Sequence, residues 1–363
     1  MKNKRDIYCE YAFWEAFFEI EEQVLHNRPK RKLWDAFYEF LSNNNLFFDI
    51  PNQSVTEDTY GGKNLMSLRH EKGGAGIKFI PKKFPHINDL SDVDDNILNA
   101  VFLTVADTSE CKSLSDRFGV IVLNLPMVFS VNHVYVNNGI SFDRANGQNW
   151  TYLWELKEKY PSISCCNSLV IADRYLLSDN NESAFDNNLK PILEALLPQS
   201  LENSIIFNIY IIAENICSYI EEKLYKIEML IKELRPKLTF SLNIFNSRKL
   251  HDRSILTNNI ILTSGAGFDV IGSNEIPLKF TTTSLYFPFL ISDSNGCIKY
   301  LDWINNVLKV ERSCRSYQHN YWGDENPRHH LLDFYYEEPA MPKATYTLGA
   351  AFANILLNAK VRS

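Results

Sequence analysis

Between Ser168 and Ser264, short apolar runs alternate with amphipathic segments, a pattern that few architectures accept. Ser168-Leu169-Val170-Ile171-Ala172 is an apolar run of strand length, and it ends in Asp173-Arg174-Tyr175. The pattern then predicts a helix from Asn188 to Leu197, a strand from Ile205 to Ala213, and an amphipathic helix from Ile216 to Leu234. After it Leu238, Phe240, Leu242 and Ile244 alternate with Thr239, Ser241 and Asn243, the period of a strand. Strands separated by helices build a sheet with helices on both faces, so the fold class is α/β.

The preceding chain reads as a separate α/β unit. Trp14-Glu15-Ala16-Phe17-Phe18-Glu19 is echoed by Trp34-Asp35-Ala36-Phe37-Tyr38-Glu39. Both are read as amphipathic helices that pack aromatic faces into one core, with Asn27-Arg28-Pro29 as the break between them. Gly61-Gly62-Lys63 and Gly73-Gly74-Ala75-Gly76 lack the phosphate-loop pattern and are read as loops. From Ala100 the order is strand, helix, strand, with Asp107, Thr108 and Ser109 as caps before a helix ending at Phe118. Expected boundaries are residues 1–150 for this first domain, 160–310 for the second and 311–363 for a C-terminal extension packing on them.

Composition narrows the possible functions. The chain has 363 residues and a net charge of −7, so nucleic acid would have to be met by a local basic patch. No apolar run is long enough to cross a membrane, and the basic start, Met1 to Arg5, is followed by no signal-type core. A cytoplasmic location is expected. Seven scattered cysteines with no C-x2-C pair fit a reducing compartment and no structural zinc. Glu10, Glu15 and Glu19 are read as a solvated helix face rather than metal ligands. His319, His329 and His330 with Asp324 lack the spacing of a zinc helix, and an aromatic docking loop is expected there. No metal or cofactor is called for.

The chemistry lies in Leu250-His251-Asp252-Arg253-Ser254-Ile255-Leu256-Thr257-Asn258, followed by Thr263-Ser264-Gly265-Ala266-Gly267. Its spacing is H-x-R-x4-N-x6-G. Alternate residues of a strand face the same way, so His251 and Arg253 are expected to converge on one spot, an imidazole beside a guanidinium. Arginine offers two phosphate oxygens a planar fork.

This spacing resembles the phospholipase D superfamily motif, H-x-K-x4-D-x6-G, with Arg for Lys and Asn for Asp. Taken with the strand order from Cys165 to Ser273 and the Asp173-x-Tyr175 element, it is similar to the phospholipase-D-like domain at the C-terminus of MIT-domain proteins. No MIT helical module is recognisable in front of it, and the resemblance implies a single mixed-sheet domain with helices on both faces. Ala172-Asp173-Arg174-x4-Asp179 can alternatively be read as a second, damaged copy. The resemblance implies that His251, Arg253 and Asn258 are catalytic, and that Arg253, Ser264, Gly265, Gly267, Asp173 and Arg174 hold phosphate. Phospholipase D chemistry uses two histidines. One motif per chain therefore implies a homodimer, or a partner in a heteromeric complex.

Three functions follow. The first is a metal-independent nuclease or nucleic-acid-directed effector; the asparagine- and isoleucine-rich, multi-domain character resembles bacterial phage-defence proteins. The second is an inactive module that binds phosphate in nucleic acid, nucleotide or phospholipid headgroup. The third is an interaction subunit of a larger complex.

Overall fold

The computed structural model describes residues 4–80, 95–130, 140–143, 165–177, 185–214, 219–249, 253–264, 282–286, 294–315, 320–324, 329 and 331–332. It is an α/β protein with two sheets.

The first sheet is parallel, in the order β3-β2-β1-β4-β5: Ile77–Phe79, Asn45–Phe48, Asp6–Cys9, Val101–Leu103 and Ile121–Leu123. After β1 come α1 (Tyr11–Glu19), α2 (Glu21–Leu25) and α3 (Arg28–Asn43). The aromatic echo is a packing surface. The rings of Phe17 on α1 and Trp34 on α3 stack with centroids 4.9 Å apart, and Trp34 Nε1 donates to the Phe17 carbonyl at 3.1 Å. Asn27 caps α3 by accepting from Lys30 N at 3.2 Å, and Pro29 stands in the first turn.

Gly61 and Gly62 correct the loop reading, because they lie at the start of α4 (Tyr60–Glu71). Their reason is proximity. Trp14 Nε1 on α1 donates to the Gly61 carbonyl at 2.8 Å, and a Cβ on Gly62 would sit 1.8 Å from the Thr56 carbonyl oxygen. The later glycines do form turns: Gly73, Gly74 and Gly76 all have positive φ. Between β4 and β5, α6 (Thr108–Phe118) is capped by Asp107, which accepts from Glu110 N at 2.9 Å. The short helices α5 (Asp95–Leu98) and α7 (Leu125–Val128) flank this strand–helix–strand unit.

The second sheet has eight strands in the order β13-β9-β8-β7-β10-β11-β12-β6. Its parallel centre is β7 (Ser168–Ala172), β8 (Phe207–Ala213) and β9 (Phe240–Asn246). Both faces of β7 and β8 are covered, which is why they read as unbroken apolar runs. Antiparallel strands complete it: β10 (Arg253–Thr257), β11 (Ile261–Ser264), β12 (Thr282–Tyr286) and β6 (Ile140–Asp143) on one side, and β13 (Tyr321–Trp322) on the other.

On one face Leu169, Ile171, Ile209, Ile211 and Ile255 pack under α8 (Lys190–Leu196) and α9 (Ile220–Leu234). The buried Ile220, Ile227, Leu230 and Ile231 form the apolar stripe of α9. On the other face Val170, Tyr210, Ile212 and Leu256 meet Ile304, Val307 and Val310 of α10 (Ser294–Arg315). The strand Ile140–Asp143 thus pairs in the second sheet, although it precedes the boundary expected at 150. At the other end, β13 carries pairing past residue 310.

Candidate functional site

The register sorts the motif residues between the two ends of one sheet. Because β7, β8 and β9 run parallel and β10 runs against β7, the carboxyl ends of the first three lie beside the amino end of β10. Ser254 pairs with Ala172, so Arg253 falls one step further, beside Asp173. Ser264 is the partner of Arg253 on β11 and is buried. Arg253, Ser264, Asp173 and Arg174 therefore share this carboxyl edge. His251, Asp252, Gly265 and Gly267 lie outside the described residues.

Local chemistry fixes the edge. Asp173 is buried and its Oδ1 accepts from Tyr175 N at 2.9 Å, turning the chain back after β7. That places the Tyr175 ring 5.3 Å from the Arg253 guanidinium and 5.4 Å from that of Arg174. Glu214, buried at the end of β8, forms ion pairs with Arg174 and, at 3.3 Å, with Arg248 beyond β9. Lys249 follows, its Nζ donating to Ser313 Oγ at 3.1 Å. Among the described residues, Arg174, Arg248, Lys249 and Arg253 against Asp173 and Glu214 leave this edge positive in a chain of net charge −7. Sequence reasoning missed Glu214, Arg248 and Lys249. The signal was present, since each follows directly on an apolar or alternating run and so must emerge at a strand end.

Asn258 is placed elsewhere. It follows β10 at the end away from Arg253, about 16 Å off for five residues of strand at roughly 3.3 Å each. Its amide is buried: Oδ1 accepts from Asn167 N at 3.0 Å, and Nδ2 donates to Asn99 Oδ1 at 2.6 Å. Arg5, also buried, donates from Nη2 to the Asn258 carbonyl and from Nη1 to Asn259 Oδ1 at 3.0 Å. Asn167 Nδ2 reaches the carbonyls of Leu98 at 2.8 Å and Gly119 at 3.2 Å. Asn258 thus belongs to a buried polar seam that joins the second sheet to the first. An amide suits that place because it must both accept and donate.

The expected docking loop is in part a strand. Tyr321 and Trp322 pair with Phe245 and Ile244 of β9, and Asp324 N donates to Asn243 Oδ1 at 2.9 Å. His329 is fully buried, its ring 4.3 Å from that of Tyr210, and His319 and His330 lie outside the described residues. Glu10 directly precedes α1, and its Oε2 accepts from Val105 N at 2.8 Å in a bond open to solvent. Among the described residues no group of three His, Cys, Asp or Glu side chains could hold a metal ion. Nor is any described helix long and apolar enough to cross a membrane.

No protein-family model matches the chain, and no curated protein does. Among solved structures it is similar to TrmBL2, an archaeal chromatin protein whose structure shows a novel mode of DNA binding, at 11% identity and a TM-score of 0.24. That match covers 48% of this chain and 53% of the other. Polyphosphate kinase from Porphyromonas gingivalis matches at 13% identity and a TM-score of 0.26, over 45% of this chain and 26% of the kinase. Phosphatidylserine synthase from Haemophilus influenzae Rd KW20 matches at 13% identity and a TM-score of 0.24, over 58% of this chain and 44% of the synthase. The chain thus spans about half or less of each of these proteins. Two of the three are named for phosphate chemistry, but likeness this weak carries no weight for fold or function.

Proposed function

We propose that the carboxyl edge of the second sheet binds a phosphodiester and that the chain is a phospholipase-D-like phosphodiesterase, a metal-independent nuclease acting through His251 in a twofold dimer. What carries the reading is the meeting of Arg253 and Arg174 beside one ring, with Glu214 pinning Arg174. An arginine fork fixed in this way neutralises a phosphate without first having to be ordered.

In the reaction, one His251 attacks phosphorus and the bond to the leaving oxygen breaks, giving a phosphohistidine. The His251 of a second copy gives its proton to that oxygen. Water, deprotonated by the same second imidazole, then attacks phosphorus and frees the first histidine. Arg253 balances the charge of the phosphoryl oxygens throughout.

Asn258 is given no chemical step in this reading, because its amide is engaged by Asn167 and Asn99 in the seam. Binding without turnover is the second reading, favoured by the replacement of the motif lysine by Arg253, which binds phosphate as a fixed fork. Nuclease assays in excess EDTA separate the two. Persistent cleavage that vanishes in a folded His251→Ala protein supports the enzyme. Cleavage abolished by EDTA yet indifferent to His251→Ala rules it out. A role in phage defence is checked by plating efficiency on cells carrying the parent or His251→Ala.

A further inference from the structure

The charged edge is a row rather than a point. In sheet order Arg248 and Lys249 follow β9, Glu214 follows β8, Arg174 follows β7 and Arg253 opens β10. Three strand spacings of roughly 4.8 Å separate the ends of the row, about 14 Å in all. One phosphate is filled by one or two arginine forks, so a row of this length exceeds what a lone phosphate or a single headgroup can use. It suits consecutive phosphates of a linear polyanion.

Within the row stands Tyr175, which is 41% exposed although two guanidinium groups brace its ring. Arg248, with its side chain 81% exposed, is open to a ligand at the far end. A cationic track with an accessible ring is how proteins hold single strands, the track following the backbone and the ring taking an unstacked base. A duplex offers no free base face to such a ring.

We infer that this edge takes single-stranded nucleic acid, laid from β9 across to β10 with one base stacked on Tyr175. The inference rests on the phosphate-binding reading above and adds the ligand class.

Fluorescence anisotropy of a labelled single-stranded 12-mer with the full chain tests it, using as competitors the matching duplex, inorganic polyphosphate, and vesicles of phosphatidylserine and phosphatidylcholine. The single strand should outcompete all three, and its affinity should fall with salt at a log–log slope of about −2 to −3, as for three or four phosphates. Tyr175→Leu should weaken the single strand about tenfold or more while leaving polyphosphate unchanged, and Tyr175→Phe should stay near the parent. Polyphosphate binding as tightly as the oligonucleotide, with Tyr175→Leu silent, overturns base stacking while the phosphate site stands. Preference for duplex or vesicles overturns the ligand class. Tyr175-dependent binding that ignores Arg253→Ala overturns the phosphate-binding reading and, with it, the β10 end of the track.

Discussion

Arg253 and Asn258 belong to one motif but act at different ends of one strand, and substitutions should separate them. Arg253→Ala should weaken phosphate-ligand binding about tenfold or more, and Arg253→Lys should recover only part of it, because the paired donors are gone. Titration calorimetry with an oligonucleotide reads both. Asn258→Ala should leave that affinity unchanged. Its cost should appear in stability, about 2–4 kcal/mol by urea denaturation, because Asn167 N–H and Asn99 Oδ1 both lose a buried partner. Asn258→Asp should not raise activity, because the position lies in the buried seam. The thiols make a third case. Burial pushes Cys111 up to about 12 and Cys314 up to about 11, and Cys9 is raised as well. All three should resist iodoacetamide in the native protein at pH 8 and react once it is unfolded, as mass spectrometry of their peptides would record.

At the level of elements, legibility followed how local the cause was. The cap at Asp107 and the helix ending at Phe118 are decided within a few residues, and the sequence announced them, whereas Asn27, read only as part of a break, caps α3. The apolar runs of β7 and β8 were equally plain, because strands buried on both faces cannot disguise themselves. What stayed hidden depends on distant partners. Asp6–Cys9 is four residues long and becomes a strand only between β2 and β4. Gly61-Gly62 looked like a turn because the Trp14 indole above it is 47 residues away. In the site, Arg253, Ser264, Asp173 and Arg174 come to one edge and Asn258 to the other, a split that a spacing along one strand does not contain. Gly119 shows the same dependence. It ends α6 at φ 64°, and a Cβ there would lie 2.5 Å from the Cys166 carbonyl oxygen. Gly119→Ala should therefore cost at least about 1 kcal/mol for the left-handed backbone alone, and more for the clash, seen as a lowered Tm.

For the whole molecule, the second sheet is used at both ends: its amino edge grips the first sheet, and its carboxyl edge carries the cations. The proposed chemistry needs two copies of His251, so light scattering should find a twofold dimer in the active species. A strict monomer that cleaves nucleic acid with no copurifying partner would rule that mechanism out. The seam also has a consequence for synthesis. Arg5 emerges from the ribosome 254 residues before Asn259, one of its acceptors. At about 5–20 residues per second the wait is roughly 13–50 s. During it the nascent first sheet holds a guanidinium shaped for burial with nothing to bury it against. Its final closure therefore waits on the second sheet, even though its own strands are complete long before.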